Sequence, residues 1–231
     1  MDSRTHPFGV PRASRLVASC AAVFSLGTAM LSTPARADVL TFPANVCTGL
    51  AVCFDGSFID ASYGDVAGVV DVSYHNLQGG TQLTQLRYWN TDYNDLQGVA
   101  WTDGGDSDSR AEIFIQPLNG EAVTLHGFDL GAWFDSQLPS RFTILDGALN
   151  VLFESGPLTI GIQPDNLHNH FSFVNLSSSD GIRIQWGPSA FNVGIDNVEF
   201  TVGAATVPLP PAAALLGGGL LALLGRRRRA A

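Results

Sequence analysis

The sequence predicts an all-β fold, an antiparallel jelly-roll sandwich. Short apolar runs between residues 69 and 202 alternate with a period of two, turn residues separate them, and no convincing amphipathic helix interrupts them. In order, residues 69–74 (VVDVSY) alternate, as do residues 112–116 (EIFIQ). Residues 123–125 lead on to a further short run at 128–130. Residues 141–145 turn at Asp146-Gly147 into residues 149–153, the composition of a β-hairpin. Residues 158–162, 171–173, 182–186 and 197–202 complete the set. Eight or more short strands with turns between them are the pattern of a sandwich.

The chain has 231 residues, 45% apolar and 14% charged, which excludes a disordered or collagen-like polymer and suits one domain with additions at its ends. No repeat or low-complexity tract divides residues 38–205, so they read as one domain. That stretch holds four basic residues, Arg87, Arg110, Arg141 and Arg183, against twenty carboxylates. Its net charge is −16, beside −9 for the whole chain. So acidic a body repels phosphates, and nucleic acid is excluded as a partner.

The remaining arginines sit at the two ends. Three of them lie in residues 1–15, followed by sixteen uncharged, mostly apolar residues, 16–31, and by the small-x-small sequence Ala35-Arg36-Ala37. This is the pattern of a Sec signal peptide over residues 1–37, cut by signal peptidase before Asp38. Its apolar run is about 24 Å of helix, short of the roughly 30 Å of a bilayer core. At the C-terminus, residues 206–231 contain Val207-Pro208-Leu209-Pro210, an apolar stretch of fourteen residues, and Arg226, Arg227, Arg228 and Arg229. The prolines end the preceding strand, and the arginines hold a short transmembrane helix with its end in the cytoplasm. These three parts in this order resemble the PEP-CTERM sorting signal of Gram-negative bacteria, with Pro208-Leu209-Pro210 standing where Pro-Glu-Pro is usual. The resemblance implies an exosortase as partner, transient anchoring in the membrane through the C-terminal helix, cleavage near the Pro motif, and a final place on the cell surface or in the extracellular matrix.

Cys20 belongs to the leader, and an exported domain that retains Cys47 and Cys53 is expected to join them as a disulfide. Phe54-Asp55-Gly56-Ser57-Phe58-Ile59-Asp60 and Gly194-Ile195-Asp196-Asn197 resemble the opening and closing strands of galactose-binding-like jelly rolls and some carbohydrate-binding modules. That resemblance implies a structural Ca²⁺ held by Asp55, Asp60 and Asp196 with backbone carbonyls; the alternative is a solvated turn and an Asp capping the last hairpin. The acidic segment 103–109 lacks EF-hand spacing, and His168-Asn169-His170 reads as a turn without a third metal ligand.

No nucleophile elbow or phosphate-cradling loop is present, so the chain reads as a non-catalytic protein. Tyr88, Trp89, Tyr93 and Trp101 lie among Asn and Asp side chains and are the candidate platform for stacking a sugar ring, while Trp133 and Trp186 sit in strand-like settings and read as core. The expected function is that of a surface or matrix component that binds glycan, with exopolysaccharide as partner. A secreted hydrolase acting on exopolysaccharide and a purely structural coat protein are the alternatives.

Overall fold

A computed structural model describes residues 36–78, 81–82, 85–103, 109–134 and 136–204. Its strands, in chain order, are β1 (Arg36–Leu40), β2 (Val70–Gln78), β3 (Thr81–Gln82), β4 (Arg87–Trp89), β5 (Val99–Trp101), β6 (Ser109–Pro117), β7 (Glu121–Ala132), β8 (Leu138–Ser140), β9 (Phe142–Asp146), β10 (Val151–Glu154), β11 (Leu158–Ile160), β12 (Asn169–Ser178), β13 (Ile182–Trp186) and β14 (Val193–Ala204). The described residues are all-β. One sheet runs β12-β7-β14-β5-β4, with β1 also on β14; the other runs β10-β9-β13-β6-β2-β3; β8 and β11 form a small third pair. All pairings are antiparallel, and the protein is an antiparallel β-sandwich. The sorting signal and residues 1–35 of the leader lie outside the described residues. Arg36 and Ala37, assigned to the leader, pair with Val202 and Thr201 as the first residues of β1.

Alternation builds the core. Ile182, Ile184 and Trp186 of β13 point inward, opposite Ile115, Ile113 and Ala111 of β6, and Trp186 also faces Phe142 of β9. The large indole thus stands across from the smallest of its cross-strand neighbours, and its N–H donates to the Val193 carbonyl at 2.7 Å. Each such fully buried large side chain contributes roughly 1.5–3 kcal/mol. In β7 the buried residues are Val123 and Leu125, then Phe128, Leu130 and Ala132, so the phase of alternation changes at His126-Gly127. The pairings of β7 with β12 and β14 shift register at this level. The two runs predicted at 123–125 and 128–130 are therefore one twelve-residue strand with a bulge.

The predicted hairpin forms between β9 and β10, with a turn different from the one its composition suggested. Leu149, not Gly147, takes the left-handed conformation, at φ 69°. Asp146 closes the turn by accepting the Asn150 N–H at 2.8 Å. Gly147 is needed for space, since a Cβ there would lie 1.8 Å from the Asp180 carbonyl oxygen.

Cys47 and Cys53 are joined in a disulfide with Cα atoms 5.4 Å apart, as expected. Closing so short a loop is worth about 2 kcal/mol on chain-entropy grounds. The two ends of the sandwich differ. At one end short turns join β6 to β7, β9 to β10 and β12 to β13. At the other end stand the long connections: residues 90–98, 133–137, 155–168 and 187–192. This loop end is where a site can be built without disturbing the sheets.

Candidate functional site

The loop end carries a second, smaller core. Tyr93, Leu96, Val99 and Trp101 are buried there, with Trp89 and Trp133 half-buried against them. Trp89 meets Trp101 edge-to-face at 5.7 Å and Trp133 edge-to-face at 4.8 Å. Tyr93 lies 5.1 Å from Trp133, and its hydroxyl donates to the Phe191 carbonyl at 2.7 Å. Tyr88 is 1% exposed in the main core, and its hydroxyl donates to the Asn90 side chain. The platform predicted from Tyr88, Trp89, Tyr93 and Trp101 therefore does not present its ring faces. Tyr88, Tyr93 and Trp101 are interior, and Trp89 is held between two indoles. Three aromatic rings that meet across an end of the sandwich bury more apolar area than any of them keeps by facing water.

Other aromatics are exposed: Phe54 at 69%, Phe153 at 40% and Phe58 at 37%, and, on loops 133–134 and 187–192, Phe134 at 76% and Phe191 at 37%. Phe134 adopts φ 61°, a conformation that a bulky residue rarely takes. It is held there by its N–H, which donates to the Asp92 carbonyl at 2.6 Å, while the Trp133 N–H donates to the Asn192 carbonyl at 2.7 Å. The Phe134 ring stands 6.2 Å from Trp133, and Phe191 stands 5.0 Å from Trp101. Loops 133–137 and 187–192 thus carry an aromatic edge with a rigid aromatic base. The adjacent pair Trp133-Phe134 was its sequence signal, since strict alternation cannot bury both.

The acidic residues are distributed differently from a calcium cage. Asp55 accepts the Asn90 N–H at 2.8 Å. Asp60 accepts the Ser62 N–H and hydroxyl at 2.9 and 2.8 Å, bonds that hold its carboxyl below the usual range. Asp196 lies in β14 across from Asp129 in β7, accepts the Phe42 N–H at 3.2 Å, and is 5% exposed. Burial, with Asp129 adding to it, pushes its carboxyl up to about 6. Each of the three has its own protein partners, and among the described residues no three His, Cys, Asp or Glu side chains gather to hold a metal.

Instead, Asp129 is the centre of a polar lock. It sits between buried Phe128 and Leu130, so its side chain leaves the opposite face of β7. His170 Nδ1 lies 2.7 Å from one oxygen; Asn197 Nδ2 donates to the other at 2.7 Å, with His168 Nε2 at 3.5 Å. His168 Nδ1 lies 2.8 Å from Asp95. Burial would raise Asp95, but the His168 backbone and side-chain bonds outweigh it and hold its carboxyl low. A comparable arrangement on the other sheet surrounds Glu112, which is 2% exposed, with His75, Arg183 and Gln185 at 2.7–2.8 Å. Both lie within sheets, with their acceptors occupied; Arg183 of the second also lines an open cavity of about 540 Å³ together with Phe114 and Asp180.

No family model matches the sequence, and no curated protein matches it. Among solved structures, the enzymatically active domain of tailspike protein 4 from bacteriophage CBA120 aligns with a TM-score of 0.27 and 10% identity, over 71% of this chain. The alignment takes in 20% of that tailspike chain, so this chain spans about a fifth of its length. A likeness at that level bears on neither activity nor ligand.

Proposed function

We propose that this is an exported, surface-sorted, non-catalytic protein, a component of the cell surface or extracellular matrix that binds glycan through the aromatic edge at the loop end of a jelly roll. The strand order supports the topology: β1-β14-β7-β12 in one sheet and β6-β13-β9-β10 in the other interleave two Greek keys, with β2 and β3 added at an edge. The terminal signals and the disulfide are consistent with an oxidising destination.

The observation that carries glycan binding is Phe134. A large apolar ring held outward at φ 61° by the Asp92 carbonyl, beside half-buried Trp133, costs backbone strain that packing does not recover. A stacking partner recovers it. Replacing Phe134 by Ala removes the ring without opening the core, so the melting temperature stays within a degree or two, and retention on the host's exopolysaccharide falls about tenfold, the equivalent of about 1.4 kcal/mol at one site. Equal retention of a folded Phe134→Ala variant overturns the aromatic edge as the binding surface.

The sorting part has its own test. In a host with an exosortase, intact-mass analysis of the surface fraction should show chains that begin at Asp38 and have lost Arg226 to Arg229. Full-length chains on the surface of such a host refute the sorting reading.

A further inference from the structure

The polar group around Asp129 reaches the surface through two side chains of β12. Phe171 turns inward and packs 5.7 Å from Phe128 and 4.8 Å from Phe142, so its neighbours His170 and Ser172 leave the outer face of the strand. Register then sets what they meet: His170 stands across from Asp129 on β7, and Ser172 across from Gly127. His170 Nδ1 lies 2.7 Å from Asp129 Oδ1, and its Nε2 lies 2.9 Å from the Ser172 hydroxyl oxygen. Gly127 leaves room for the ring, since a Cβ there would already touch the His170 Cε1 at 3.3 Å.

The order of protons follows from these contacts. The second Asp129 oxygen accepts from Asn197 Nδ2 at 2.7 Å, which leaves Oδ1 to His170. A carboxylate only accepts, so Nδ1 carries the hydrogen of the neutral ring, Nε2 offers its lone pair, and the Ser172 O–H donates to it. A hydroxyl, a base within its reach and a third group that orients the base are the parts of an activated nucleophile. Their exposure rises toward the hydroxyl: Asp129 is 5% exposed, His170 half-exposed and Ser172 exposed. Water competes for the outer bond, so the contact between Ser172 and His170 adds little to stability, while the hydroxyl is open to a reagent. The surroundings are acidic. Exposed Glu199 lies beyond Gly127 on β14, and Asp95 is bound to His168. Anionic reagents are repelled here and uncharged ones are not.

We propose that Ser172 is an acyl-accepting site, a hydroxyl made nucleophilic by His170 and Asp129 that takes the acyl group of an uncharged, activated ester. The Ser172 oxygen bonds to the acyl carbon as its proton passes to His170 Nε2. The bond from that carbon to the leaving oxygen then breaks, and the leaving group takes the proton from Nε2. Ser172 ends as an ester, and His170 returns to its neutral form. Asp129 is a positioning residue: it holds the ring through Nδ1 and stabilises its charge while the proton is on it. The inference goes beyond glycan binding and does not depend on it.

The test treats the purified, folded chain with p-nitrophenyl acetate, follows release of nitrophenolate, and locates the acetyl group by peptide mass mapping. One equivalent should be released, with the acetyl group on Ser172 and none on Ser177, an exposed serine of the same strand whose hydroxyl meets Thr124 rather than a base. His170→Ala should slow acetylation of Ser172 about a hundredfold or more, the contribution of a positioned general base. Asp129→Asn should slow it as well; if that variant unfolds, His170→Ala, which removes a half-exposed ring, decides alone. Release beyond one equivalent that Ser172→Ala abolishes supports the nucleophile and adds hydrolysis of the acyl serine. Acetylation of Ser172 no faster than that of Ser177, or an equal rate in the folded His170→Ala variant, overturns the proposal and leaves the group a structural lock.

Discussion

Gly98→Ala lowers the stability of the domain by roughly 2–5 kcal/mol, a large part of the 5–15 kcal/mol that a domain has. Gly98 stands at φ 83°, just before β5, and its N–H donates to the Asn90 carbonyl at 2.8 Å. A Cβ there would lie 2.0 Å from the carbonyl oxygen of Phe42 and 3.1 Å from its carbon. Both atoms are backbone, and Phe42 is fully buried, so nothing flexible can yield. The left-handed backbone alone costs an L-residue about 1–2 kcal/mol, and displacing packed backbone adds about 1–3 kcal/mol. At about 2–4 °C per kcal/mol for a domain of this size, the melting temperature drops by roughly 10 °C. Gly120→Ala is the control. Its φ is 74°, but nothing lies within 4 Å of its Cβ, so it keeps only the conformational cost, about 1 kcal/mol. Equal melting temperatures for the two variants would mean that the Phe42 carbonyl does not pack against Gly98.

The legibility of the fold followed burial. Strands with one face in the core and one in water, such as β2 and β13, alternate, and they were readable. β5 has all three residues buried because the aromatic end covers its outer side, so it carries no period to detect. β1 pairs only at the margin of its sheet, on part of β14, and its sequence, RADVL, lacks a clean alternation. The break of phase inside β7 concealed one strand as two. The site was less legible, because its decisive contacts are long-range. Tyr93 meets the Phe191 carbonyl across 98 residues, and that closure turns an apparent surface platform into core. His168 and His170 were visible as a pair, but Asp129, which joins them, is 41 residues from His170 and becomes its neighbour only through the β7–β12 pairing. The sign of φ at Phe134, which decides where its ring points, leaves no mark in the composition.

Asp196→Asn stabilises the domain at neutral pH by roughly 3 kcal/mol and removes a pH dependence that the unmodified chain possesses. The Asp196 carboxyl titrates near 6 in the folded protein against an ordinary 3.8, chiefly because burial disfavours its charge, with Asp129 opposing ionisation and His168 favouring it. The folded state therefore holds this proton more tightly than the unfolded state does. The stability so conferred is complete below about pH 4 and is lost as the pH rises through about 6. Two pKa units are worth about 2.7 kcal/mol, which sets the size of the loss. Asn keeps an oxygen to accept the Phe42 N–H and carries no charge, so the variant avoids the cost of an ionised, buried carboxylate beside Asp129. Glu112 and Asp95, both held low, contribute with the opposite sign: their stabilisation is present above the ordinary carboxylate range and fades as the pH falls through it. Between about pH 4.5 and 7 the difference between the two proteins thus belongs to residue 196. Urea unfolding at half-unit steps across that window should show the variant gaining on the unmodified chain as pH rises, with the curves meeting near pH 4. A constant offset, or none, would show that Asp196 is ionised without penalty and that its place between Phe42 and Asp129 is solvated.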